Sequence, residues 1–152
     1  MIILLFGQPA SGKTTLAGFL AQNLELEGNS KVIRIDGDKW REVTKNKDYS
    51  KEGRLKNLKG AFDMALYLEK EGYTLILSFV TPYEELRTYL KDNANSFFQV
   101  YLTYPGGRGR DDKFASDFEH PNGVLTINTA EKNIEDCLTD IWEYLKDYYI
   151  NE

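Results

Sequence analysis

The sequence predicts an α/β domain of three layers, with a five-stranded parallel sheet flanked by helices. Three observations predict it. Short apolar runs alternate with longer segments of helical spacing, the first apolar run is continuous, and a glycine-bearing loop separates that run from the first helical segment. A strand covered on both faces needs apolar side chains at consecutive positions, and Ile2 to Phe6 provides them. The 152 residues suit a single domain, 1–152, long enough to bury a core.

The elements follow in order. Gly7 to Gly12 is the loop. A helix is expected from Lys13 to about Glu27, with Leu16, Phe19, Leu20 and Leu24 on its buried face and Gly28-Asn29 as its stop. Lys31 to Ile35 reads as the second strand, ending at Asp36-Gly37-Asp38, and Asp48 to Gly53 as a polar loop. Leu55, Leu58, Phe62, Ala65 and Leu66 give helical spacing to Arg54–Glu71, which Gly72 ends. Tyr73 to Val80 is the third strand. Thr81-Pro82-Tyr83-Glu84 then has the form of a helix start, with Thr81 as the hydroxyl cap. Phe97 to Leu102 and Val124 to Asn128 are the fourth and fifth strands. Asn128, with Glu131 three residues on, is expected to cap a last helix whose buried face is Ile134, Leu138, Ile141, Leu145 and Tyr148. Residues 103–122 carry two of the four prolines, several glycines and many charges without periodicity, which is the composition of a functional loop or short lid.

Composition narrows the class. Hydrophobic residues at 41% and charged residues at 28% are the balance of a soluble globular protein. Nineteen Lys and Arg against 24 Asp and Glu give a net charge of −5, which argues against nucleic acid as a partner. Cys137 is the single cysteine, so no intrachain disulfide forms, and its place in a helical stretch suits a buried thiol. The run Met1 to Phe6 is too short for a membrane span or a secretory core and has no basic leader. No membrane partner and a cytoplasmic location are therefore expected.

The loop carries the chemistry. Gly7-Gln8-Pro9-Ala10-Ser11-Gly12-Lys13-Thr14 meets the Walker A pattern at every fixed place, after an apolar strand and before an amphipathic helix. Glycines let backbone N–H groups approach phosphate oxygens, and the helix start adds its positive dipole end. Lys13 brings a point charge to the outer phosphates, and the Thr14 hydroxyl is a ligand for Mg2+. ATP and Mg2+ are thus the expected cofactors. Gly7, Gln8, Pro9, Ala10, Ser11, Gly12, Lys13, Thr14 and the adjoining Thr15 are the expected ATP-binding residues. The fold class becomes that of a P-loop nucleotide-triphosphate protein.

Which branch of that class is a matter of acids. Asn46-Lys47-Asp48 is followed by Tyr49, which breaks a guanine-reading Asn-Lys-x-Asp. The third strand, Leu75-Ile76-Leu77-Ser78-Phe79, does not end in the acid that motor ATPases place there. Carboxylates stand instead after the second strand, at Asp36 and Asp38, where a parallel sheet carries its sites. They suit an acceptor hydroxyl or water bound to Mg2+. A helix cap at either position is the competing reading.

Asp36-Gly37-Asp38-Lys39-Trp40-Arg41 resembles the Asp-Gly-Asp-x-x-Arg segment of adenylylsulfate kinases. Tyr49-Ser50 with Arg54-x-x-Asn57 is similar to that family's Phe-Ser…Arg-x-x-Asn. Ser78-Phe79-Val80-Thr81-Pro82-Tyr83 and Arg87 resemble its Phe-Ile-Ser-Pro-Tyr run and following arginine. Lys113-Phe114 and Phe118-Glu119-x-Pro121 are similar to its lid pair and Tyr-Glu-x-Pro. The family moves the ATP γ-phosphate to the 3′-hydroxyl of adenosine 5′-phosphosulfate (APS), giving PAPS. The resemblance implies catalytic roles for Lys13, Asp36 and Asp38, with either acid orienting or deprotonating the hydroxyl. It implies substrate contacts from Asp38, Arg41, Tyr49, Arg54, Asn57, Phe79, Thr81, Lys113 and Phe114, with Tyr49 and Phe114 sandwiching the adenine.

Some family members carry a phosphorylatable serine at the position of Thr81. The segment Tyr104 to Asp112 is shorter than the family's and lacks its Arg-Asp-Pro-Lys-Gly-Leu-Tyr, and Arg108 and Arg110 are the arginines left to cover ATP. That departure keeps two alternatives open: a kinase for another small hydroxyl acceptor, and a nucleotide-binding regulator without transfer. The oligomeric state, a homodimer among the options, is not set by the sequence.

Overall fold

The structure, a computed structural model, describes residues 1–105 and 113–150, without the side chains of 148–150. Its elements run β1 (Ile2–Phe6), α1 (Lys13–Leu26), β2 (Val32–Asp36), α2 (Gly37–Thr44), α3 (Lys51–Lys70), β3 (Thr74–Phe79), α4 (Glu84–Asn93), β4 (Phe97–Thr103), β5 (Leu125–Asn128) and α5 (Ile134–Ile150). The five strands form one sheet in the order β2-β3-β1-β4-β5. Every pairing is parallel, with Leu4 of β1 between Leu77 of β3 and Gln99 of β4.

β1 is buried along its whole length. Ile2, Leu4 and Phe6 enter one core with Phe62 and Leu66 of α3 and Leu86 and Leu90 of α4. Ile3 and Leu5 enter the other with Leu16, Leu20 and Leu24 of α1 and Ile141 and Leu145 of α5. Alternate side chains of one strand thus feed two helical layers, which is why the run is apolar without interruption. β1 is central, and the chain leaves it toward β2 on one side and later reaches β4 on the other. Its carboxyl end is therefore the switch point where such sheets carry ligands.

Four expectations are corrected at element ends. α2 was not given bounds in the sequence, though a helix cap at Asp36 was the competing reading. It buries no residue, so it has no apolar stripe to read; the Asp36 carboxylate caps it by accepting from Lys39 N at 3.4 Å. α3 starts at Lys51, inside the segment read as loop, because the Ser50 hydroxyl accepts from Gly53 N at 3.2 Å. Thr81 does not cap α4. It sits at φ 45° with its hydroxyl donating to Phe79 O at 3.2 Å, while Glu84 N is met by the Glu119 carboxylate at 2.8 Å. Asn128 does not cap α5 either. It closes a turn by accepting from Ala130 N, and Asn133 accepts from Asp136 N at 2.8 Å instead. Phe19 and Ile134, read as buried, are 43% and 40% exposed. Cys137 is buried, and burial pushes its thiol pKa up. Tyr148 lies outside the described side chains. Among the described residues no helix is long and apolar enough to cross a membrane.

Candidate active site

The loop after β1 folds around its own lysine. Lys13 Nζ donates to Gly7 O at 3.0 Å, Gln8 O at 2.8 Å and Ser11 Oγ at 3.3 Å. Gly7 leaves no room for a side chain: a Cβ there would stand 2.1 Å from Leu102 O of β4. Gly12, at φ 98°, occupies the left-handed position that starts α1. Thr129 fixes the far wall, its hydroxyl lying 2.9 Å from Ser11 O and 3.0 Å from Thr103 O.

Thr14 Oγ1 donates to Asp36 Oδ1 at 2.6 Å. β2 reaches this point by skipping over β3, so two residues 22 positions apart meet at the loop's edge. A hydroxyl backed by a carboxylate is a hard oxygen pair of the kind Mg2+ accepts, the rest of its sphere normally being water and phosphate. Asp38 follows in the first turn of α2.

Both residues open into a cleft of about 270 Å³. It is lined by Pro9, Ala10, Gly12, Lys13, Thr14 and Thr15 of the phosphate loop and the start of α1, and by Arg41, Tyr49, Arg54, Asn57 and Lys113. Asp36 and Asp38 also line it, with Phe79 at the end of β3 and Thr81 just after it. The cleft thus gathers most of the residues expected to bind donor and acceptor. Gly7, Gln8 and Ser11 hold the loop from behind it. Phe114 is not among the lining residues and is 52% exposed. Thr81 is wholly buried, so its hydroxyl is closed to solvent. Arg108 and Arg110 lie outside the described residues.

Tyr49 is surrounded by cations. The Arg41 guanidinium lies 4.0 Å from its ring centroid, Lys113 Nζ 5.6 Å and the Arg54 guanidinium 5.9 Å. Arg41 also donates to Asn46 O at 3.1 Å and Asp48 O at 3.2 Å, holding the turn before α3. Burial lowers its pKa, Tyr49 acts against that, and the Arg54 charge adds to the lowering. Arg54 is buried and donates to Lys113 O at 3.0 Å. Three positive groups around one ring repel each other, and an anionic ligand would relieve that repulsion. Asn57 is 6% exposed, and its Oδ1 has no hydrogen-bond partner among the described residues. A buried carbonyl without a donor costs about 1–3 kcal/mol, a cost that a ligand N–H or O–H would remove.

Sequence reading missed several contributors. Ser78, Val80 and Pro82 line the cleft because β3 ends beneath it. Arg87 stands in the sequence only as the arginine that follows the family run, with no role attached. It is buried, donates to Thr81 O and Glu119 O at 2.7 Å each, and lies over Phe6 at 4.8 Å. Only the resemblance gave a signal for it. Gln8, at a variable position of the loop pattern, bonds to Ala115, and nothing in the local sequence shows it.

Known proteins resemble this chain in sequence and fold. Residues 1–113 match the family model described as adenylylsulphate kinase. A probable adenylyl-sulfate kinase of Aeropyrum pernix is 35% identical over 108 residues, 67% of this chain and 58% of that protein. The adenylyl-sulfate kinase of Bacillus licheniformis is 26% identical over 168 residues, 96% of this chain and 85% of its own. A cytidine diphosphoramidate kinase of Campylobacter jejuni is 28% identical over 101 residues, 66% of this chain and 59% of its own. The chain spans about half to three fifths of the length of three probable adenylyl-sulfate kinases that it matches, from Pseudomonas aeruginosa, Aeropyrum pernix and Pyrococcus abyssi. The Mycobacterium tuberculosis APS kinase, solved with AMPPNP and APS, superposes with a TM-score of 0.80 at 20% identity, covering 95% of this chain and 96% of that one, a likeness of fold. With the family model covering most of the chain, and the phosphate loop, paired acids and arginine cluster meeting in one cleft, the chain belongs to the adenylylsulphate kinase family.

Proposed function

We propose that the protein transfers the γ-phosphate of ATP to the 3′-hydroxyl of adenosine 5′-phosphosulfate, giving PAPS and ADP. The observation that carries this reading is that one cleft is lined both by Lys13 and Thr14 and by the cation-ringed Tyr49 with the Asn57 carbonyl, which has no partner among the described residues. An aromatic face suits a base, and guanidinium forks suit phosphate and sulfate oxygens.

The acceptor oxygen attacks the γ-phosphorus as the bond to the β-phosphate oxygen breaks and ADP leaves. Lys13 swings from the loop carbonyls to the phosphates and stabilises the charge that spreads over the transferring group. Thr14, backed by Asp36, would hold Mg2+, which neutralises phosphate charge when bound. We assign the hydroxyl proton to Asp38, which lines the cleft from the first turn of α2. We place this reaction in the cytoplasm, where ATP is supplied.

One observation favours a second acceptor class. Phe114 is exposed outside the cleft lining, so among the described residues Tyr49 alone offers a stack for the base, which suits a smaller one. Kinship with a cytidine diphosphoramidate kinase points the same way. Purified protein with Mg-ATP should release ADP in the presence of APS at a rate on the order of 1–100 per second. Lys13→Ala should abolish that release. Release with cytidine nucleotides and none with APS would move the assignment to the second class. Tight ATP binding with no transfer to any acceptor would reject both.

A further inference from the structure

Gln8 and Ala115 exchange two hydrogen bonds across 107 positions. Gln8 Nε2 donates to Ala115 O at 2.8 Å, and Ala115 N donates to Gln8 Oε1 at 2.9 Å. One carboxamide thereby satisfies both backbone groups of a buried residue. The phosphate-loop pattern leaves this position free, so gripping a triphosphate does not require glutamine here.

What surrounds the pair gives it a use. The backbone carbonyl of Gln8 accepts from Lys13 Nζ at 2.8 Å, a bond that ends when the ammonium turns to a phosphate. Two residues before Ala115, Lys113 O accepts from Arg54, and Lys113 Nζ is 5.6 Å from the Tyr49 ring. Gln8 is therefore joined through its backbone to the group that meets the donor, and through its side chain to the segment that flanks the acceptor end of the cleft.

We propose that Gln8 is a positioning residue through which nucleotide in the phosphate loop sets the placement of residues 113–115, so that donor and acceptor strengthen each other's binding. Coupling of this kind is reciprocal, and it needs an element that both sites bias. The Gln8–Ala115 pair is that element. The donor half of the proposal stands on the loop alone; the acceptor half rests on the function proposed above.

The test uses the full chain as wild type, Gln8→Met and Gln8→Ala, with thermal melts to show which variants are folded. Met keeps the shape of Gln and loses both bonds. Hydrogen exchange of the stretch 113–118, with and without Mg-AMPPNP at saturation, reads the donor half without any acceptor. Nucleotide should slow exchange there about fivefold or more in wild type and leave it unchanged in the variants. In turnover at saturating ATP, the variants' acceptor KM should rise about fivefold or more, a larger change than in kcat. Equal nucleotide protection in wild type and variants, or none in wild type, would overturn the proposal. Protection lost in the variants, with no APS turnover by wild type, would uphold Gln8's role and reject APS as the acceptor.

Discussion

Thr14 Oγ1 and Asp36 Oδ1 meet at 2.6 Å, and the second oxygen of the same carboxylate accepts from Lys39 N at 3.4 Å. One acid therefore orients the hydroxyl proposed for Mg2+ and fixes the helix that carries Asp38 and Arg41. Asp36→Asn should raise the Mg2+ concentration needed for half-maximal turnover by about 10–100-fold. Asp38→Asn should lower turnover by about 10²–10⁴-fold and leave the Mg2+ requirement where it was. Rates titrated with Mg2+ separate the two, and equal shifts in both variants would end this division of labour.

Asn57 gives a different kind of test, because its buried carbonyl has no partner among the described residues. Asn57→Leu removes that cost and fills the same space with apolar atoms. The melting temperature should rise by a few degrees, corresponding to about 1–2 kcal/mol, while the acceptor KM rises tenfold or so. A lower melting temperature with an unchanged KM would mean that Asn57 serves the fold and not a ligand.

Arg87 is a brace between the end of β3 and residue 119. Arg87→Met leaves two carbonyls, those of Thr81 and Glu119, without their donor. The loss should be about 2–4 kcal/mol, read as a drop in melting temperature of roughly 5–15 °C. If melting hardly moves, those carbonyls have found other donors.

The Cys137 thiol sets a pH dependence of stability. Burial raises its pKa above the unfolded value, so its contribution is complete below the unfolded pKa and is lost as pH rises through the folded one. Melting temperature should therefore fall between pH 8 and pH 10, and Cys137→Ala should flatten that fall. Tyr83 and Tyr101, whose pKa values burial also raises, add a further loss above about pH 10. A slope that is unchanged in the alanine variant would remove Cys137 from this account.

The sheet and the phosphate loop were legible because their signals are local. Five consecutive apolar residues, then glycines at fixed spacing, then an amphipathic helix can be read without knowing what lies elsewhere. The helix caps were not. Glu119 meets Glu84 N from 35 residues away, so no reading of Thr81-Pro82-Tyr83-Glu84 could find the true cap. α2 escaped for the opposite reason, since a helix that buries no residue has no stripe. At the site, Arg41, Arg54 and Asn57 were found through resemblance to a family and not through chemistry visible in their neighbours. The contacts that make them useful, Arg54 to Lys113 and Arg41 over Tyr49, depend on how distant segments fold together.

Gly53 lies in the first turn of α3, where a Cβ would come within 2.2 Å of Asp48 Cγ and 2.4 Å of Asp48 O. Any larger residue must push the turn carrying Tyr49 away from Arg41, whose bonds to Asn46 and Asp48 hold that turn in place. The aromatic platform is thus locked by the absence of an atom some distance from it. An engineer seeking a new acceptor has latitude at Tyr49 itself and almost none at the glycine four residues later.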